Sequence, residues 1–396
     1  MSTDILVETG RASALSAEAR DLWRGFRDAD PALSSPYFDL RYTLAAGGHA
    51  PGVEVATISR RAEIIGFLPF QRRGALIQPI AAPLTDYHGV VAAPGADIDL
   101  KTVVAALGAR RFSFSGLVGA PPVQSDTTAL SAMVADLSQG VDAYLARRPS
   151  AVLKDKRRRA RRLAEDHGAL EFSLTADVDE ALALVFRLKR RQMRRTGQHD
   201  VLAGPWTRGF LRRLAASSDP DFGLRLATLR AGGTIVAAEV GLRSGDVYHL
   251  WLPVYEPAYA RYSPGALMTL ETVRAAAAQG VRLVDFGPAR ETYKGDFADP
   301  GQPVHEGDLT VGGFVESARN TTRRALAGAP TILEALDAAS RRLDRRWDRI
   351  TACEPRIEGR MGAASLSLAD IARRRPKTSI GLGLGLGLGV AGLLAD

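Results

Sequence analysis

Cysteine is almost missing from this chain: Cys353 stands alone among 396 residues. One thiol excludes an intrachain disulfide framework and any Cys-rich zinc site, and no metal is expected. Long apolar runs are missing as well. The stretch from Ile380 to Ala395 is short of the ~20 residues a spanning helix needs, and its alternate glycines weaken any helix. The opening residues "MSTDILVETGRASALSAEAR" lack the apolar core of a secretion signal, so a cytoplasmic protein is expected. Acidic residues are outnumbered, 44 against 52 basic ones, giving a net charge of +8 and a pI near 9.8. That imbalance favours an anionic partner such as a phosphate-bearing substrate, a nucleotide, RNA or lipid headgroups. A GC-rich coding sequence is the plain alternative source of so much arginine and alanine.

What is present has α/β grammar. Residues 15–30 read as a helix stopped by Pro31, and "VEVATISR" and "AEIIGFLPFQRR" read as strands joined by a tight charged turn. "ALIQPIAAPLTDYHGVV" continues the sheet and breaks at Pro83 into a polar loop. "LKTVVAALGARRFSFSGL" is a helix followed by a strand. Residues 141–168 form a basic helical segment ending at Gly168. A strand "ALEFSLTA", helices over 177–195 and 205–216, and a three-stranded meander follow, with turns at Ala-Gly-Gly and Ser-Gly-Asp. A helix over 264–279 and the strand "VRLVDF" complete the pattern. Both halves run through similar elements, although no residue-level repeat is visible.

The triplet Asp285-Phe286-Gly287 also marks the metal-binding segment of protein kinases. No Gly-rich loop, strand lysine or His-Arg-Asp loop accompanies it, which excludes a kinase. Asp285 instead closes a strand at its carboxyl end, where α/β sheets present ligand-contacting groups, and Tyr293 and Lys294 follow eight residues later. A carboxylate there can deprotonate an amine, a phenol can protonate a leaving thiolate, and a lysine can hold an anion. A strand-end turn with solvated side chains is the plain alternative. Ser263, Gly265 and Ala266 begin the helix over 264–279, with Ser263 expected as N-cap and Pro264 at the first helical position. Free N–H groups at such a helix start suit a pyrophosphate.

Glu239 interrupts an apolar strand, so burial would raise its pKa towards that of a general base, unless it simply faces solvent. His249, in "VYHLWL", reads as a satisfied core or surface histidine. Asp86, Tyr87 and His88 place three hydrogen-bonding side chains in one loop, useful for sugar hydroxyls. "KDKRRRARR" (154–162), with Arg157 and Arg158 at its centre, surrounds a helix with cations. It is either a solvated face or a clamp on a phosphorylated or lipid-linked substrate.

The stretch "SPGALMTLETVRAAAAQGVRLVDFGPARETYKGDF" resembles the GNAT-type acetyltransferases of the CelD family, linked to cellulose and other exopolysaccharide synthesis. "PLTDYHG" and "KDKRRRARRLAEDHG" are similar to that family's first-half loop and basic segment. The likeness covers roughly residues 30–315 and extends more distantly to the FemABX peptidoglycan transferases. It implies two GNAT-like folds with mixed sheets flanked by helices, and a cytoplasmic acyltransferase near the inner membrane. The reaction implied is acyl transfer from acetyl-CoA to an amine or hydroxyl of a sugar or lipid-linked sugar, in exopolysaccharide or holdfast synthesis. Asp285 or Glu239 would be the base, Tyr293 the proton donor and Lys294 the anion clamp. Asp86, Tyr87, His88, Arg157 and Arg158 would hold substrate, and Ser263, Gly265 and Ala266 the coenzyme.

"RYSPGA" departs from the usual GNAT pyrophosphate loop, Arg/Gln-x-x-Gly-x-Gly/Ala, in having one glycine and different spacing. The alternatives are an aminoacyl-tRNA-dependent ligase, as in FemABX relatives, and a silent GNAT scaffold regulated through its tail. No DNA-binding motif accompanies the charge.

The expected organisation is a GNAT-like domain over 1–140, a basic helical linker over 141–168 and a catalytic GNAT-like domain over 169–318. An Arg-rich helical extension over 319–379 and a Gly-Leu tail over 380–396 follow. "RRLDRRWDR" contains Arg-x-x-Asp twice, a pattern seen in cyclic-dinucleotide sites, and "RRRPK" before the Gly-Leu run suits an anionic membrane surface.

Overall fold

The structure is a computed structural model that describes residues 5–123, 125–175, 179–196, 198–217, 219–311, 346–354 and 357–374. The chain opens with β1 (Ile5–Gly10), then α1 (Ala17–Ala29) and α2 (Leu40–Gly47). Side chains of Ser16 and Asp39 accept hydrogen bonds from Ala19 N and Arg41 N, which satisfies orphan donors at both helix starts. A hairpin follows, β2 (Val53–Arg60) and β3 (Glu63–Arg73), then β4 (Leu76–Gln78) and β5 (Val91–Ala92). Next come α3 (Leu100–Ala106), β6 (Arg111–Val118) and β7 (Asp126–Asp136).

α4 (Val141–Ala146) and α5 (Ser150–His167) lead into β8 (Leu170–Thr175). α6 (Asp179–Thr196), α7 (Pro205–Ala215) and the meander β9 (Phe222–Ala231), β10 (Thr234–Ser244) and β11 (Val247–Tyr255) follow. Then come α8 (Pro264–Ala278), β12 (Leu283–Pro288) and β13 (Asp299–Thr310). Among the later described residues, 346–353 are helical and α9 spans Ile357–Arg374.

The element order repeats. Strand, two helices, antiparallel strands, one helix, a parallel strand and a closing strand run from β1 to β7 and again from β8 to β13. All the main strands join one mixed sheet in the order β1-β2-β3-β4-β6-β13-β7-β12-β11-β10-β9-β8, with β5 attached to β3. Each half's closing strand is exchanged. β7 pairs with β12 of the second half, β13 pairs with β6 of the first, and the two pair with each other. The class is therefore α/β, with a large mixed sheet flanked by helices.

Helices cover both faces. α1, α2, α6 and α7 share one apolar cluster that includes Trp23, Tyr42, Val185, Phe210 and Trp251. α8 packs Val273 and Ala276 against Tyr248 and Val284 on the other side, where Leu163 of α5 meets Leu229 and Met268. Cys353 belongs to the main cluster, 1% exposed, rather than lying outside the core as its position in an extension implies. Burial pushes its thiol up to about 12. The segment around it is docked: Arg111 grips Asp348 through two hydrogen bonds of 3.1 and 2.7 Å, and an Arg73 nitrogen donates to the carbonyl of Ala352. Asp348, half of the second Arg-x-x-Asp pair, is thus committed to β6. Arg341, Asp344, Arg345 and the Gly-Leu run lie outside the described residues. No helix among the described residues is long and apolar enough to cross a membrane.

Candidate functional site

β11 and β12 are parallel neighbours, but they pair only from Val247/Leu283 to His249/Asp285. A register shift between Val240 and Gly241 of β10 places an extra residue, Trp251, in β11. A bulge bends its strand and increases the local twist, so β11 leaves β12 just beyond His249 and a wedge opens with His249 and Asp285 at its vertex.

Four polar side chains meet there, two from each half. His249 is fully buried, and its Nε2 lies 3.0 Å from Oδ2 of Asp86. Its Nδ1 stands 3.4 Å from Oδ2 of Asp285, an ion-pair distance that is long for a hydrogen bond. Asp285 Oδ1 accepts from the Tyr87 hydroxyl at 2.9 Å and from Gly287 N at 2.7 Å. The rings of Tyr37 and Tyr87 stand edge-on to the imidazole at 5.1 and 5.9 Å. Burial alone would lower the pKa of His249, but Asp285 and Asp86 outweigh it and raise it to about 9. Asp86 in turn is held below the usual carboxylate range, because His249, Arg290 and Lys294 outweigh its desolvation. Only Asp86 reaches solvent, with 39% of its side chain exposed; the side chain of Asp285 is 6% exposed.

Gly116 permits this meeting. It adopts φ +85°, and a Cβ there would lie 1.8 Å from the carbonyl oxygen of Asp86, so β6 and the Asp86 loop touch backbone to backbone.

The loop does not present three side chains together. Asp86 and Tyr87 serve the vertex, whereas His88 turns into the opposite core against Phe112, with neither ring nitrogen hydrogen-bonded. Burial takes its pKa down to about 3, so it is neutral there rather than a sugar ligand. Tyr87 is itself buried and spends its hydroxyl on Asp285.

Glu239 is buried, not solvent-facing, and sits opposite Pro253 of β11. Burial pushes its pKa up to about 8, against His249, Lys189 and the Tyr248 hydroxyl. Tyr293 is half exposed, with its phenol raised by burial and then by Glu291 and Glu239. Lys294 has internal partners: Nζ donates to the Pro288 carbonyl at 2.8 Å and pairs with Glu291 at 2.7 Å.

The start of α8 stands at the far end of β11, where Gly265 lies against the Tyr255 ring. Tyr255 is six residue steps along the strand from His249, about 20 Å. Ser263 is left-handed at φ 53° and makes no side-chain cap, unlike the N-cap expected for it; Pro264 does occupy the first turn. The first N–H groups of the helix, including those of Gly265 and Ala266, have no intrahelical acceptor. A surface cavity of about 400 Å³, bordered by Arg187, Arg230, Glu256 and Tyr259, includes neither Asp285 nor residues 263–266.

On α5, the cations do not surround the cylinder evenly. Lys154, Arg157, Arg158, Arg161 and Arg162 are exposed, while Arg159 turns inward to Asp155 and the Arg261 carbonyl. α5, which carries Arg157 and Arg158, packs on the face that α8 occupies. Sequence reading passed over His249 as central and did not single out Lys189 of α6. The one available signal was the parallel pairing of a histidine with a strand-end aspartate, which a single sequence does not reveal.

Residues 151–295 match the family model described as an acetyltransferase (GNAT) domain. No curated protein matches the chain. Among solved structures, the chain is similar to a tandem GNAT protein from the clavulanic acid biosynthesis pathway, with 11% identity, 78% of this chain and 99% of that one covered, and a TM-score of 0.48. A conserved protein of unknown function from Bacteroides thetaiotaomicron gives 13%, 78%, 100% and 0.48. FemX gives 10%, 75%, 96% and 0.43. The matched segment runs from α5 to the turn before β13.

Proposed function

We propose that the protein transfers an acyl group from acetyl-CoA to an amine or hydroxyl of a sugar or lipid-linked sugar, at the wedge between β11 and β12. The observation that carries this reading is the buried series Tyr87–Asp285–His249–Asp86, whose only exposed member is Asp86. The GNAT family match over 151–295 supports the reaction class.

The chemistry needs a donor whose anionic end is far from its reacting carbonyl. Coenzyme A is such a molecule: its pyrophosphate suits the N–H groups at the start of α8, and its pantetheine arm would run along β11. The acceptor nitrogen then attacks the thioester carbonyl, forming the C–N bond as the C–S bond breaks. Its proton passes to Asp86, and the leaving thiolate takes a proton from Tyr293. His249 holds Asp86 in place, and Asp285, bound by Tyr87 and Gly287, holds His249. The base is thus assigned to Asp86 rather than to Asp285, which is enclosed and already accepts two hydrogen bonds. The exopolysaccharide role rests on the sequence resemblance alone.

The test is turnover of acetyl-CoA with amino sugars. Asp86→Asn should cut kcat about 10²–10⁴-fold, the range for a lost general base, with acetyl-CoA binding retained. Full activity in that variant would remove Asp86 from the mechanism, and failure of the wild type to bind acetyl-CoA would remove the donor. Transfer from charged tRNA would then favour the ligase reading, to which the exposed cations of α5 are suited.

A further inference from the structure

Lys189 is a half-buried cation with no ion pair among the described residues. It projects from α6, and the one hydrogen bond it makes among the described residues is a long one, 3.5 Å from Nζ to the carbonyl of Pro253. Pro253 belongs to the part of β11 that has already left β12, and it lies opposite Glu239. The ammonium group therefore sits beside the wedge, on the side lined by α6.

Three carboxylates are close enough to act on it electrostatically, namely Asp86, Glu291 and Glu239. None of the three forms an ion pair with it. Asp86 Oδ2 is held by His249 at 3.0 Å, and Glu291 is held by Lys294 at 2.7 Å. Glu239, raised to about 8 by burial, carries a proton at neutral pH. Burial lowers the pKa of Lys189, and the three carboxylates only partly oppose it. An ammonium partly withdrawn from water, with no ion pair among the described residues, gains from a ligand that supplies the missing charge. Lys294, the other lysine of this region, has its own carboxylate and cannot serve the same purpose without giving it up.

We propose that Lys189 binds an anionic substituent, a phosphate or a carboxylate, on the acceptor that enters the wedge, and so sets the acceptor class as an anionic sugar. The assignment of the anion to the acceptor rests on the acyl-transfer reading; the anion site itself does not. With the anion on Lys189, the acceptor lies between α6 and the exposed oxygen of Asp86. Lys189 is then a specificity residue, touching substrate but moving no proton.

The experiment measures binding by calorimetry and turnover with acetyl-CoA on the full chain, using glucosamine, glucosamine 6-phosphate, glucuronic acid and inorganic phosphate. Wild type should bind the phosphate sugar at least tenfold more tightly than glucosamine, with glucuronic acid showing whether a carboxylate is accepted as well. Lys189→Gln should lose that preference through KM, and Lys189→Arg should keep part of it. Arg191→Gln, an exposed cation on the same helix, should match wild type. Equal binding of charged and neutral sugars by wild type would overturn the proposal. So would wild-type affinity in Lys189→Gln, or an equal loss in Arg191→Gln. Anion binding through Lys189 without any transfer would instead retain the site and end the acyltransferase reading; transfer to glucosamine without anion preference would do the reverse.

Discussion

His249 and Glu239 are both buried groups that hold a proton more firmly in the folded chain than in the unfolded one. For His249 the pKa rises from 6.5 to about 9, so its contribution is complete below about pH 6.5 and gone once pH has passed 9. For Glu239 it rises from 4.5 to about 8, which puts the loss between those values and gives it the same sign. Each therefore makes folding less favourable as the solution becomes alkaline, His249 by on the order of 3 kcal/mol. The urea midpoint of wild type should fall between pH 6.5 and 9.5. Glu239→Gln, which fixes the neutral form, should show a shallower fall up to pH 8, and His249→Gln should be destabilised at pH 6.5 but nearly equal to wild type at 9.5. A flat wild-type profile across that range would mean that the charge states assigned at the vertex are wrong. Sequence reading had picked out Asp86, Tyr87, Asp285 and Glu239 one by one. It had no means of joining them, because Asp86 and His249 are 163 residues apart and Tyr87 and Asp285 are 198 apart.

At the level of elements, the helices and the meander were legible because each carries a local signal. Ser16 caps α1, Gly168 at φ 95° ends α5, and Gly232 and Gly233, both at positive φ, turn β9 into β10. β13 was not legible. Its sequence "DPGQPVHEGDLT" holds two prolines, which normally argue against an interior strand. Pro300 and Pro303 fall where β13 pairs with β7 alone, across a register shift, and pairing with β6 starts only at Val304. The prolines thus stay clear of the doubly bonded stretch. The touch between β6 and the Asp86 loop is equally hidden in sequence, since it depends on what Gly116 lacks. Gly116→Ala should force the two backbones apart, destabilising the fold by about 2 kcal/mol or more. The Asp86–His249 contact would be pulled open at the same time. Unfolding curves together with transfer assays would show this as a loss of activity beyond what the unfolded fraction accounts for. A fully stable, fully active variant would mean that the loop does not rest on β6 in this way.

For the whole molecule, the exchange of closing strands decides what can fold alone. The order β6-β13-β7-β12 interleaves the halves, so residues 1–140 lack β13 as the neighbour of β6, and residues 141–318 lack β7 as the neighbour of β12. Each half by itself would expose a long unpaired strand edge in the middle of its sheet. The vertex is divided in the same way, with Asp86 and Tyr87 on one half and His249 and Asp285 on the other. A chain split near Gly140, where β7 gives way to α4, tests this directly. Expressed separately, the two pieces should aggregate or remain unfolded; expressed together, they should copurify as one species and regain transfer activity. Cooperative unfolding of either piece on its own would show that the strand exchange is dispensable for folding. If the pieces reassemble only as a pair, then the acid of one half and the histidine of the other come into register through the same strand pairing that completes the sheet.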